Sequence, residues 1–157
     1  MTGYGIRRYG LHENYSGSLG LKKFNMENMN YKGIIIEESL AGVDVFKDVK
    51  IVSTKVEPVT EEHKTPWLKQ WTLHTVEIPE GSADEIAEKL SADLEKEHDW
   101  YADYKNEQYH YIVYRGKIFK VDLQNPILYK AAKQYGMSLG IPEYQVDFAP
   151  DDKVWER

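Results

Sequence analysis

The 157-residue sequence contains no cysteine. Disulfide frameworks, thiolate zinc sites, iron–sulfur clusters and cysteine nucleophiles are therefore excluded, and a cytoplasmic location is the expectation. No stretch approaches the roughly 20 apolar residues of a membrane helix, and the N-terminus lacks the apolar core of a secretory signal. A soluble protein with no membrane partner is expected. Arginine is scarce as well: after residue 28 only Arg115 and Arg157 occur. Because Lys/Arg density supplies most of the affinity for a phosphate backbone, no nucleic-acid partner is expected.

Chemical motifs are equally sparse. There is no G-x-S-x-G elbow, no Walker loop and no G-x-G-x-x-G after a strand, so no nucleotide or other cofactor is expected. The five histidines, His12, His63, His74, His98 and His110, show no H-x-x-x-H or H-x-H spacing, and no metal site is expected. What the chain has in quantity is aromatic side chains, with 12 Tyr, 4 Trp and 4 Phe, and an acidic balance of 26 Asp/Glu against 20 Lys/Arg.

That charge is uneven. Residues 1–28 hold four Lys/Arg and two Asp/Glu, leaving 16 against 24 for the remainder. The same stretch holds five of the 11 glycines and no sustained period. It reads as a flexible arm or as an overlong or added start, since Met26 and Met29 lie just before the first convincing strand. Residues 29–150 read as one domain, of a length that can bury a core without staples, and 151–157 as a charged tail.

Within the domain, Ile34, Ile35 and Ile36 form a short apolar run entered through Gly33. Alternation predicts a second strand over 45–56, closed by Pro58, and a third over 70–78. Ser82 and Glu85 have capping-box spacing, and Ala83, Ile86, Ala87, Leu90 and Leu94 recur at helical period, which predicts a helix over 83–96. Three aromatic-rich runs, 100–105, 109–114 and 117–122, read as an antiparallel meander. Asn125-Pro126 then opens a second helix with Gly136 at its stop, and 144–148 leaves room for a last strand. The order β-β-β-α-β-β-β-α predicts an α+β domain, a largely antiparallel sheet with both helices on one face.

The meander can be phased. A three-residue turn at 106–108 pairs Tyr104 with His110, Ala102 with Ile112 and Trp100 with Tyr114; a two-residue turn at Arg115-Gly116 pairs Ile112 with Phe119 and His110 with Val121. One face then collects Trp100, Ala102, Tyr104, His110, Ile112, Tyr114, Phe119 and Val121 as core. The other collects Tyr101, Asp103, Lys105, Tyr109, Tyr111, Val113, Ile118, Lys120 and Asp122. Tyrosine combines contact area with a hydroxyl for orientation, so Tyr101, Asp103, Tyr109, Tyr111 and Lys120 are the candidate binding residues of a protein-interaction module, for a protein partner or self-association. A two-residue turn after strand 100–105 would instead oppose Asp103 and His110 and orient an imidazole for base work, but the apolar pattern argues against it.

The alternative is an enzyme, a metal-assisted or acid/base hydrolase using Asp103, Lys105 and a histidine, His110 or His74. The order of elements over 83–148 resembles the core of the PD-(D/E)xK nucleases, and Asp103-Tyr104-Lys105 has the D-x-K spacing, which would imply a carboxylate holding a divalent cation beside an activating lysine. Here the pair lies on the first strand of the meander rather than the second, and strand 109–114 carries no carboxylate.

Overall fold

A computed structural model describes residues 29–148; the arm and tail assigned above to 1–28 and 151–157 lie outside the described residues. The elements are β1 (Tyr31–Ile36), β2 (Lys50–Pro58), β3 (Gln70–Ile78), α1 (Ala83–Asp93), β4 (Tyr101–Lys105), β5 (Tyr109–Tyr114), β6 (Lys117–Asp122) and α2 (Leu128–Ser138). All six strands join one antiparallel sheet in the order β2-β3-β1-β4-β5-β6. The α+β class and the antiparallel meander are as expected. The first strand in sequence becomes central, paired with β3 on one side and β4 on the other.

That central position needs Gly33. A Cβ there would sit 2.4 Å from the Asp103 carbonyl oxygen and 2.7 Å from the Tyr104 Cβ, so any larger residue would push β1 and β4 apart. The Tyr104 ring lies at this seam, edge-on to Tyr31 at 5.6 Å and stacked on Tyr111 at 4.9 Å.

Three expectations are corrected. The helices do not share a face. Tyr104 and Tyr111 are cross-strand partners whose hydroxyls reach α1, at the Ala83 carbonyl (2.5 Å) and the Asp84 carboxylate. Their neighbours of opposite parity, His110 and Tyr114, reach α2, at the Tyr129 hydroxyl and the Ala132 carbonyl. In a strand successive side chains alternate sides, so α1 and α2 lie on opposite faces of the β4–β6 half. The segment 144–148 is no strand either. Glu143–Gln145 is a 3-10 turn, and Val146 and Phe148 are buried in the α2 layer.

The meander register is the third. The observed pairs are Tyr101↔Tyr114, Asp103↔Ile112 and Lys105↔His110, one residue from the expected register, while β5 and β6 pair as expected. The cause is Asn106, whose side-chain oxygen accepts from the Gln108 and Tyr109 amides and so adds one residue to the turn. A one-residue slip turns every β4 side chain to the other face. It costs no core, because both faces are covered: β4 buries four of its five residues and β5 five of its six.

The helix ends also differ in detail. Ser82 belongs to a 3-10 turn over Glu80–Ser82 and makes no side-chain cap, so the start of α1 is fixed by Tyr104 and Tyr111 from below. Gly136 does not stop α2. It lies inside the helix, where a Cβ would meet the Tyr114 hydroxyl at 2.5 Å and Val146 Cγ1 at 2.7 Å, and the turn comes at Gly140, with φ +96°. Burying Ile86 and Leu90 contributes about 1.5–3 kcal/mol each, against a few tenths for a surface pair such as Lys89–Glu85. Packing, not surface charge, holds α1.

Candidate functional site

The register shift divides the five predicted binding residues. Tyr109, Tyr111 and Lys120 stay together on the α1 side, with the Lys120 ammonium 4.4 Å from the Tyr109 ring centre and 5.3 Å from that of Tyr111. Tyr101 and Asp103 turn to the α2 side. Tyr101, Asp103 and Tyr111 are 3%, 1% and 2% exposed, Tyr109 is half-buried and only Lys120 is exposed. The five do not form one open face. Burial also raises the Tyr104 and Tyr111 hydroxyls far above the ordinary phenol range, with neighbouring phenols and Asp84 adding to it.

Asp103 and His110, expected on opposite sides of the sheet, meet on the α2 face as diagonal neighbours. His110 Nε2 lies 2.7 Å from Asp103 Oδ2 and Nδ1 lies 2.7 Å from the Tyr129 hydroxyl. An ionised carboxylate only accepts, so the neutral ring carries its proton on Nε2 and leaves Nδ1 to accept from Tyr129. All three are buried, and the Phe148 ring closes over the imidazole at 6.1 Å. This chain of acid, imidazole and hydroxyl ties α2 to β4 and β5. Lys105, at the exposed end of β4, is opposed to His110 and Lys32, so the Asp103-x-Lys105 pair spans a buried and an exposed position.

The same order of groups recurs at the other end of the sheet, in the open. Thr54 on β2 is directly opposite His74 on β3, with Thr54 Oγ1 2.8 Å from His74 Nδ1. His74 Nε2 lies 2.6 Å from Glu37 Oε2, and Glu37 follows β1 in a 3-10 turn over Glu37–Ser39. The next residue, Glu38, accepts from the Thr72 amide and hydroxyl, both at 2.8 Å, which fixes that turn against β3. Phe46 stands edge-on to the His74 ring at 4.6 Å. His74 is nearly buried, whereas Thr54 is exposed and the Glu37 side chain is half-exposed.

Thr54 belongs to the edge strand. Only Glu57 of its nine residues is buried, and Ile51, Val52 and Val56 are 42%, 55% and 54% exposed. The Val59 amide donates to the Lys69 carbonyl at 3.0 Å. By the alternation of an antiparallel ladder, Thr54 and Val56 therefore turn their amides away from β3, to the open side. A bulge between Ile51 and Ser53 interrupts the strand farther along.

The remaining described histidines are structural. His98 lies beyond the end of α1, bonded to Glu95 and stacked on Trp67 at 3.7 Å. Burial opposes the Glu95 carboxylate, but donation from the Glu97 amide, His98 and Trp100 prevails and holds it below the ordinary range. His63 packs edge-on to Trp71 at 4.4 Å.

Sequence reasoning named His74 but missed its partners. The ends of two strands held a usable signal: opposing Pro58 to Gln70 places Thr54 across from His74. Nothing marked Glu37, which arrives through the insertion of β1 beside β3, or Tyr129, which arrives through the folding of α2 onto the sheet. No protein-family model matches the chain, and neither a curated protein nor a solved structure is significantly similar to it.

Proposed function

We propose that the protein is a small binding module that takes an extended segment of a protein partner along the open edge of β2. The exposure of that strand carries the reading: eight of its nine residues are in contact with solvent, three of them large and apolar. A strand with unpaired amides is a template for another strand. Strand addition of this kind draws affinity from main-chain hydrogen bonds and selectivity from side-chain contacts. The outward amides of Thr54 and Val56 are the donors, with the bulge at one end and Pro58, which has no amide, at the other. The accommodated segment is therefore short.

A second copy fits this edge poorly. Pairing two copies through Thr54 and Val56 sets Lys55 directly against Lys55, and like charges opposed across strands destabilise the pair. A different chain, with an acidic residue facing Lys55, is the better match.

Val56→Pro tests the reading. It deletes an outward amide and leaves the β2–β3 ladder in place, as edge prolines do. A partner retained from the source cell by the wild-type chain is expected to be lost by the variant. Equal retention by both overturns the reading. A wild-type dimer that Val56→Pro converts to a monomer would instead assign the edge to self-association.

A further inference from the structure

We propose that Glu37, His74 and Thr54 form a hydrolytic site for carboxylic esters, with Thr54 as nucleophile, His74 as general base and Glu37 as positioning residue. The geometry points to this from three sides. The hydroxyl and the carboxylate sit on the two different nitrogens of one imidazole, at 2.8 and 2.6 Å. With the Nε2 proton held by Glu37, the Nδ1 lone pair is aimed at the Thr54 hydroxyl, which is the arrangement that activates an alcohol. Such a site is recognised by geometry and roles, not by sequence order; here Nδ1 faces the nucleophile and Nε2 the acid, the reverse of the chymotrypsin arrangement.

Access separates this set from its buried counterpart. Asp103, His110 and Tyr129 have the same connectivity, but Tyr129 is 7% exposed and nothing can approach it. Thr54 is an exposed residue on an edge strand, and its outward amide is a donor next to the carbon under attack, where an oxyanion develops. The Phe46 ring covers one side of the imidazole.

The chemistry closes without redox. Thr54 Oγ1 bonds to the ester carbonyl carbon as its proton passes to His74 Nδ1. The tetrahedral intermediate then breaks its bond to the alcohol oxygen, and the departing alcohol takes the proton from His74. Water next attacks the Thr54 ester and gives a proton to His74; the carboxylic acid leaves, and the proton returns to Oγ1. The sum is ester plus water to acid plus alcohol. The Thr54 amide that faces the oxyanion is also one of the two donors offered to a partner strand, so the hydrolytic site is that of the unoccupied edge and is tested on the chain without a partner.

The test uses the full chain and two probes, an alkyl fluorophosphonate, which phosphonylates activated hydroxyls with loss of fluoride, and p-nitrophenyl acetate. Peptide mass mapping of the wild-type chain is expected to find Thr54 phosphonylated or acetylated. His74→Gln is expected to slow that labelling by at least about 100-fold. Glu37→Gln, whose amide can donate to Nε2 and so shift the ring proton to Nδ1, is expected to slow it and alter its pH profile, with recovery in Glu37→Asp. Circular dichroism checks that each variant is folded, and Glu37→Gln decides should His74→Gln unfold. Absence of Thr54 from both labelled peptide sets overturns the proposal. So does labelling of Thr54 at the wild-type rate in the folded histidine or glutamate variant.

Discussion

His110 and His74 are each bonded on both ring nitrogens, yet their surroundings give the two sets different weight. Around His110 the carboxylate and phenol are buried, so removing the imidazole takes the Nε2 donor from a buried carboxylate. His110→Leu is expected to cost about 3 kcal/mol, and Tyr129→Phe, which forfeits one hydrogen bond, about 1 kcal/mol. Urea unfolding of the two variants measures both; equal small losses would mean that Asp103 and His110 are not coupled. Thr54→Val, at an exposed position, forfeits the hydrogen bond to the His74 ring and is expected to cost about 0.5–1 kcal/mol. Gly136→Ala exchanges about 1 kcal/mol of helix propensity for a Cβ 2.5 Å from the Tyr114 hydroxyl. Overpacking of that kind costs about 1–3 kcal/mol, so thermal denaturation is expected to show a net loss.

Strand β2 and the β1–β4 seam are the two elements whose behaviour is least conventional. At the edge, proline distinguishes the two sides of one strand. Val56→Pro removes an outward amide, whereas Lys55→Pro removes one directed at β3 and is expected to be less stable by about one hydrogen bond, about 1 kcal/mol. Equal denaturant midpoints for the two would contradict the outward direction of the Val56 amide. At the seam, Gly33→Ala places a methyl 2.4 Å from backbone rather than from a movable side chain, so β1 and β4 must separate. Amide hydrogen exchange is expected to rise along both strands, and unchanged protection there would rule out the close approach. Six strands and both helices were legible from period and turn residues, although the strand expected over 45–56 begins only at Lys50, after a 3-10 turn over Asp44–Lys47, and 144–148 is no strand. The β4 register was not, because it depends on a side-chain hydrogen bond of Asn106 to two amides that alternation does not encode.

For the whole molecule, the tyrosines under α1 set the alkaline limit. The Tyr104 and Tyr111 hydroxyls keep their protons in the folded chain, raised first by burial, whereas the unfolded chain releases them at about pH 10. Their contribution is complete below that value and is lost as the pH rises through and beyond it, since only the unfolded state gains from ionisation. Denaturant midpoints are expected to fall above about pH 10, less steeply in Tyr104→Phe; a level midpoint across the range would contradict the shift. No helix among the described residues is long and apolar enough to cross a membrane. The sequence by itself determined the α+β class, the number of strands in the meander and the hairpin at Gly116, because these follow from local period and backbone preference. Which face each tyrosine takes was decided only by the tertiary structure. Alternation locates an outer face only when one side of a sheet meets water, and here α1 and α2 cover both sides of the meander. The same holds for the two sets of acid, imidazole and hydroxyl: each joins residues from three separate elements, so their meeting depends on strand order and helix placement.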